Sequence, residues 1–154
     1  SDVAFFLDGP LALCTGKGEK TKKMRHKFNF LALLILPDVT VSTKMVYANY
    51  VHDPAEYERL RTRIKSYVEK NRIDLASGMC ANMLQTSSFG LVKGLAELKA
   101  TIESLGVGPL CLSGSGTAMF HLLCDADEEK AIAYKHKLEE SVGCKSIIVR
   151  NSRW

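Results

Sequence analysis

A chain of 154 residues, 46% hydrophobic and 25% charged, holds enough apolar side chain for one substantial core and has an ordinary globular composition. Its formal charge of +4 falls short of the concentrated basic surface that announces nucleic-acid binding, and its apolar runs stop short of the roughly 20 residues that cross a bilayer. Neither nucleic acid nor a membrane is expected as a partner. Five cysteines (Cys14, Cys80, Cys111, Cys124 and Cys144) make an odd count without a CxxC pair or zinc-like Cys/His spacing, so reduced, buried thiols of a cytosolic protein are expected. The chain does not open on a basic segment followed by an apolar stretch and a cleavage site, so no leader is expected.

Short apolar runs at 3–7 and 11–14, parted by Asp8, Gly9 and Pro10, predict a strand pair. The polar stretch 15–27 reads as loop, and its lysines as solvated charge. "FNFLALLILP", from Phe28 to Pro37, is apolar on both alternating faces and predicts a central strand covered on both sides. Ser42 or Thr43 can cap a short helix over "KMVYANY". A helix from about Pro54 to Asn71 follows, burying Tyr57, Leu60, Ile64 and Val68. Residues 75–88 predict another, with Leu75, Met79, Asn82 and Met83 along one side. From Gly90, the spacing of Leu91, Leu95, Leu98, Ile102 and Leu105 predicts an amphipathic helix stopped by Gly106 and Gly108. "PLCLS" and "TAMFHLLC" read as antiparallel strands around a glycine loop, then a helix over 126–142 after Asp125 and a last strand in "CKSIIVR". The order fits an α+β fold, a ferredoxin-like α/β sandwich with helices covering an antiparallel sheet.

The loop Ser113-Gly114-Ser115-Gly116 carries two readings. Glycine suits a tight hairpin turn, because positive φ is free of steric cost there. Glycines also let backbone approach a ligand while N–H groups and serine hydroxyls receive phosphate oxygens. The sequence contains neither GxxxxGK[ST] nor GxGxxG, and Gly114-Ser115-Gly116 lacks the spacing of a hydrolase nucleophile elbow. The four histidines are scattered, without metal-ligand spacing. Asp2, just before an apolar strand, suits a turn or a cap as well as catalysis. Thr43 and Tyr47, four residues apart on one helical face, suit capping and packing, or the stacking and hydrogen bonding of a flat heterocycle.

Taken in order, these stretches resemble one family. "SDVAFFLDGPLALCTGKGE" is similar to a segment of the 4-diphosphocytidyl-2-C-methyl-D-erythritol kinases, with Asp2, Val3, Phe5, Phe6, Leu7, Gly9, Ala12, Gly16, Gly18 and Glu19 in place. "LPDVTVSTKMVY" is similar to a second stretch of that family, and "LCLSGSGTAMFHL" to the third motif of the wider GHMP kinase superfamily. Ala4 and Pro10 depart from the family's proline and second glycine, which puts the local turn geometry in doubt.

The resemblance implies an ATP-dependent kinase, with Mg2+ in the full-length enzyme, that phosphorylates a hydroxyl of a cytidine-diphosphate-linked methylerythritol in non-mevalonate isoprenoid precursor synthesis. It implies that Asp2 orients the attacking hydroxyl and accepts its proton, and that Thr43 and Tyr47 line the substrate pocket. It implies too that Ser113, Gly114, Ser115 and Gly116 close over the active site and support the phosphate loop. Motifs one and two, which carry the family's catalytic lysine and phosphate loop, are not in these residues, so the chain is expected to be a C-terminal portion. On that reading 1–27 is a remnant of the catalytic domain and 28–154 the C-terminal domain, and the isolated chain is expected to fold, to turn over no ATP and to self-associate through an apolar patch along its first strands. The compartment expected is bacterial cytoplasm or plastid stroma. Two other readings stand beside it: another GHMP kinase of mevalonate or homoserine type, and a ferredoxin-like binding module for RNA or small ligands.

Overall fold

In a computed structural model of the chain, the described residues are 12–16, 18–24, 29–79 and 81–150. The expected strand at 3–7 lies outside them. The strand expected at 11–14 is present as β1 (Ala12–Thr15), and it pairs antiparallel with β2 (Lys20–Lys23), inside the stretch read as loop. The turn between them is closed by a Gly18 N–H bond to the Thr15 carbonyl at 3.2 Å. A lysine-rich strand gives no apolar alternation to read, while its backbone pairs as any strand's does.

The main sheet has the order β4-β5-β3-β6, all antiparallel, formed by β3 (Leu31–Leu36), β4 (Cys111–Leu112), β5 (Met119–Leu123) and β6 (Lys145–Arg150). The first and third of these strands in chain order lie side by side at the centre, the arrangement of a ferredoxin-like sandwich. β3 is central, as its unbroken apolar run predicts. Leu31, Leu33 and Ile35 are fully covered on one face, while Leu34 and Leu36 on the other are half-buried, so one face is sealed better than the other.

Six helices complete the described residues: α1 (Thr43–Ala48), α2 (Pro54–Glu69), α3 (Ile73–Gly78), α4 (Gln85–Leu91), α5 (Leu95–Ser104) and α6 (Glu128–Val142). Leu95 and Ile102 of α5 and Ala131 and Leu138 of α6 pack on the face made by Leu31, Leu33, Ile35, Met119 and Leu123. Fully burying a leucine such as Leu33 contributes about 2–3 kcal/mol. Asp127, rather than Asp125, caps α6 through a 2.9 Å bond from the Lys130 N–H, and Gly143 ends it in the left-handed conformation.

Two expected helices are cut differently. The one expected over 75–88 is two helices, α3 ending at Gly78 and α4 beginning at Gln85, and in the break between them the Asn82 side chain accepts the Leu84 N–H at 2.8 Å, a local bond that competes with helix. The one expected from Gly90 begins at Leu95, because Gly94 takes φ of +82°. Leu91 therefore ends α4 and is exposed. Gly106 stops α5 as expected, with its N–H on the Glu103 carbonyl at 2.9 Å. α2 buries no residue fully: Leu60, Ile64 and Val68 are half-buried, and Tyr57 is exposed beside the His52 ring.

Glu103 ties the end of α5 to the approach to β4. Its Oε1 accepts the Leu110 N–H at 2.8 Å and the Lys99 ammonium at 2.6 Å. Partial burial pushes this carboxyl up, but those two donors outweigh it and hold the group below its ordinary value. Of the cysteines, Cys111 and Cys144 are buried, with burial pushing the Cys144 thiol up, whereas Cys14 and Cys124 are exposed, contrary to the expectation of buried thiols. Cys80 lies outside the described residues.

Candidate active site around the glycine loop

The loop between β4 and β5 is a tight turn. Ser113 donates its N–H to the Ala118 carbonyl and Gly116 donates to the Ser113 carbonyl, both at 2.9 Å. Gly114 has φ of +56° and Gly116 of +89°, which explains both glycines. At Gly116 there is a second reason. A Cβ there would sit 2.7 Å from Ser88 Oγ and 2.9 Å from a Leu112 methyl, whereas a Cβ at Gly114 would meet open space. The Ser88 hydroxyl is fully buried and has no hydrogen-bond partner among the described residues.

Four side chains from distant segments hold this turn and the helix beside it. Asn82 Nδ2 donates to the carbonyls of Leu112 and Gly114, each at 2.8 Å. Thr117 Oγ1 donates to the Val39 carbonyl at 2.6 Å, and Ser87 Oγ to the Val46 carbonyl at 2.6 Å. Thr43 Oγ1 and Ser115 Oγ share a hydrogen bond of 2.9 Å. α1 is itself capped by Ser42, whose Oγ accepts the Met45 N–H at 3.4 Å, and anchored by the fully buried Val46. Tyr47, one turn beyond Thr43, is 62% exposed, so its ring is an open face beside the loop rather than a packed core residue.

The sequence-predicted residues Thr43 and Ser115 are therefore in direct contact, and Tyr47 shares the helix of Thr43. Ser113, Gly114, Ser115 and Gly116 form the turn. Among the described residues the N–H groups of Gly114 and Ser115 donate to no protein acceptor, which leaves two adjacent backbone donors for an anionic group. That donor set fits phosphate oxygens. No group of three His, Cys, Asp or Glu side chains converges among the described residues, so they offer no ligand set for magnesium. Asp2 and the 3–7 part of the expected apolar patch lie outside the described residues; in the other part, β1, Ala12 and Leu13 are half-buried.

Asn82, Ser87, Ser88 and Thr117 were not predicted as site residues. The signal available was Asn82 itself, an amide on the otherwise apolar side of a predicted helix, where a residue that competes for backbone groups is out of place. A groove of about 910 Å³ also runs between α2 and α4, lined by Arg59, Arg63, Asn82 and Gln85 among others. Glu56 and Arg59 in it neutralise one another in a bidentate pair at 2.6 Å.

A profile of the family described as "GHMP kinases C terminal" matches residues 58–142, more than half of the chain. The chain belongs to the GHMP kinase C-terminal family. As a member of it, the chain is 30% identical over 125 residues to a 4-diphosphocytidyl-2-C-methyl-D-erythritol kinase of Clostridium botulinum (strain Eklund 17B), and 29% identical to that of the Hall strain. In both cases the alignment takes in 81% of this chain and 45% of the relative, so the chain spans about half the length of the curated relatives it matches. Among solved structures, homoserine kinase from Cytophaga hutchinsonii aligns with a TM-score of 0.69 at 17% identity over 97% of this chain and 50% of its own. A 4-(cytidine 5'-diphospho)-2C-methyl-D-erythritol kinase aligns with a TM-score of 0.65 at 23% identity over 99% and 54%. These two likenesses establish the GHMP fold for the chain.

Proposed function

We propose that this chain is the C-terminal part of an ATP-dependent kinase that phosphorylates a hydroxyl of 4-diphosphocytidyl-2-C-methyl-D-erythritol, a step towards isoprenoid precursors by the non-mevalonate route. The observation that carries the reading is the 2.9 Å bond between Thr43 and Ser115, which joins the helix bearing Tyr47 to the turn bearing the free N–H groups. The names of the Clostridium relatives support it.

In this reading the exposed Tyr47 ring stacks on the cytosine, and the Thr43 hydroxyl, held at one end by Ser115, hydrogen-bonds a polar group of the substrate. The Gly114 and Ser115 N–H groups receive phosphate oxygens from a backbone fixed in advance, which costs no reorganisation as charge develops. Bound ATP supplies the phosphoryl group. Asp2 orients the substrate hydroxyl and takes its proton, the positioning role that phosphoryl transfer asks of a carboxylate. The 154 residues alone contain neither the family's lysine nor its phosphate loop, so the isolated chain turns over no ATP.

The test is an assay of the full-length enzyme that bears this chain, offered 4-diphosphocytidyl-2-C-methyl-D-erythritol, homoserine and mevalonate in parallel. Phosphorylation of the cytidyl substrate alone is the expected result. A higher kcat/KM on homoserine or mevalonate would overturn the substrate assignment, and steeply salt-dependent binding of single-stranded RNA without kinase activity would favour a binding module.

A further inference from the structure

We infer that Asn82 is the positioning residue of the glycine loop, the group that aims the Ser115 N–H at the anion. This rests on the reading of the loop as a phosphate contact and adds to it a residue from outside the loop. The amide of Asn82 makes three bonds. Its two N–H donors hold the carbonyls of Leu112 and Gly114 at 2.8 Å, and its Oδ1 accepts the Leu84 N–H at 2.8 Å. The third bond locks the side chain against rotation and is made to Leu84, the residue that caps the start of α4, so the clamp is referred to a helix end.

Peptide planarity turns a hold on carbonyls into control of donors. In a trans peptide the C=O and the following N–H point in opposite directions. The Gly114–Ser115 and Leu112–Ser113 peptides are trans. Drawing the Leu112 carbonyl towards Asn82 therefore sends the Ser113 N–H the other way, where it closes the turn on Ala118. Drawing the Gly114 carbonyl towards Asn82 sends the Ser115 N–H away from Asn82, and among the described residues that donor meets no acceptor. At Gly114 and Gly116 positive φ makes the turn possible, yet a Cβ at Gly114 would meet open space, and among the described residues the bond from Asn82 is the one that holds the Gly114 carbonyl. Ser88, packed under Gly116, supports the other end of the turn from the same segment of chain.

Asn82→Asp tests the clamp, because the carboxylate keeps the shape and the bond from Leu84 but offers no donor to either carbonyl. The first arm records the amide resonances of Gly114 and Ser115 in the ligand-free chain. They are expected to move in the variant while those of Leu33 and Ile102 in the core stay. The second arm measures the full-length enzyme on 4-diphosphocytidyl-2-C-methyl-D-erythritol. There kcat per folded molecule is expected to fall about a hundredfold, the order of loss for a group misplaced by an ångström, with KM for that substrate within about threefold of wild type. Unmoved Gly114 and Ser115 amides would overturn the clamp, and moved amides with an unchanged kcat would overturn its part in the reaction. If the wild-type enzyme does not phosphorylate that substrate, the substrate reading fails while the first arm still decides the clamp. Should Asn82→Asp not fold, Asn82→Ser, with a single short donor, is expected to move the same two amides.

Discussion

The sheet face of Leu31, Leu33 and Ile35 and the turn centred on Ser115 are held by different forces. The first is sealed by apolar side chains from α5 and α6 that recur at helical spacing. The second is held by a few side-chain hydrogen bonds, one each at Thr43 and Thr117 and two from Asn82, which join segments 72, 78 and up to 32 residues apart in sequence. Burial is collective and tolerates the loss of one contact. A polar clamp made of a few bonds from a few side chains does not, which makes the turn easy to disturb without unfolding the domain.

The comparison is broken hardest from the sheet side. Leu33→Ala removes a fully buried side chain from the central strand and is expected to lower unfolding free energy by about 2–5 kcal/mol, read as a shift in the urea midpoint at constant slope. Next comes Gly116→Ala. It adds a Cβ against Ser88 and Leu112 at φ of +89° and is expected to cost about 2–4 kcal/mol, whereas Gly114→Ala, strained in φ but with free space, costs about 1 kcal/mol. Equal losses at the two glycines in thermal melts would mean that the packing under Gly116 is immaterial.

These contrasts explain what sequence could disclose. α5 and α6 announce themselves because burial imposes a period of 3.6 on their apolar residues, and β3, β5 and β6 because each is a short apolar run between polar or turn residues. The candidate residues in and beside the turn were legible through motif resemblance, since Thr43, Tyr47 and Ser115 fall on it and Thr43 and Ser115 meet in the structure. Asn82 and Thr117 were not legible, because a side chain bonding a backbone carbonyl leaves no periodic trace and any carbonyl serves. The split of 75–88 into two helices is hidden in the same way: its apolar spacing runs on through Asn82, while the side chain's local bond to the Leu84 N–H sits in the break between Gly78 and Gln85. β2 escaped notice because its four residues are Lys-Thr-Lys-Lys.

Glu103 gives a smaller, pH-dependent effect on the sheet side. Its folded carboxyl titrates below its unfolded value, so the stability it contributes is present in full above the ordinary carboxylate range and is lost as pH falls through the folded pKa. Glu103→Gln is expected to cost about 1 kcal/mol at neutral pH, with the gap from wild type closing in acid. A gap that widens in acid would contradict the sign. Smallest of all in stability is Thr43→Val, which removes the bond to Ser115 at an exposed site. It is expected to move unfolding free energy by less than about 0.5 kcal/mol while weakening substrate binding several-fold, and this separates the site from the scaffold most cleanly.

The most direct measurement of the central claim, that α1 and the glycine turn form one site, is amide and side-chain NMR mapping of the chain titrated with 4-diphosphocytidyl-2-C-methyl-D-erythritol. Shifts that saturate together at Thr43, Tyr47, Gly114 and Ser115 are the predicted result. Saturating shifts confined to Arg59, Arg63 and Gln85 along the groove between α2 and α4, with Tyr47 and Ser115 unmoved, would contradict it.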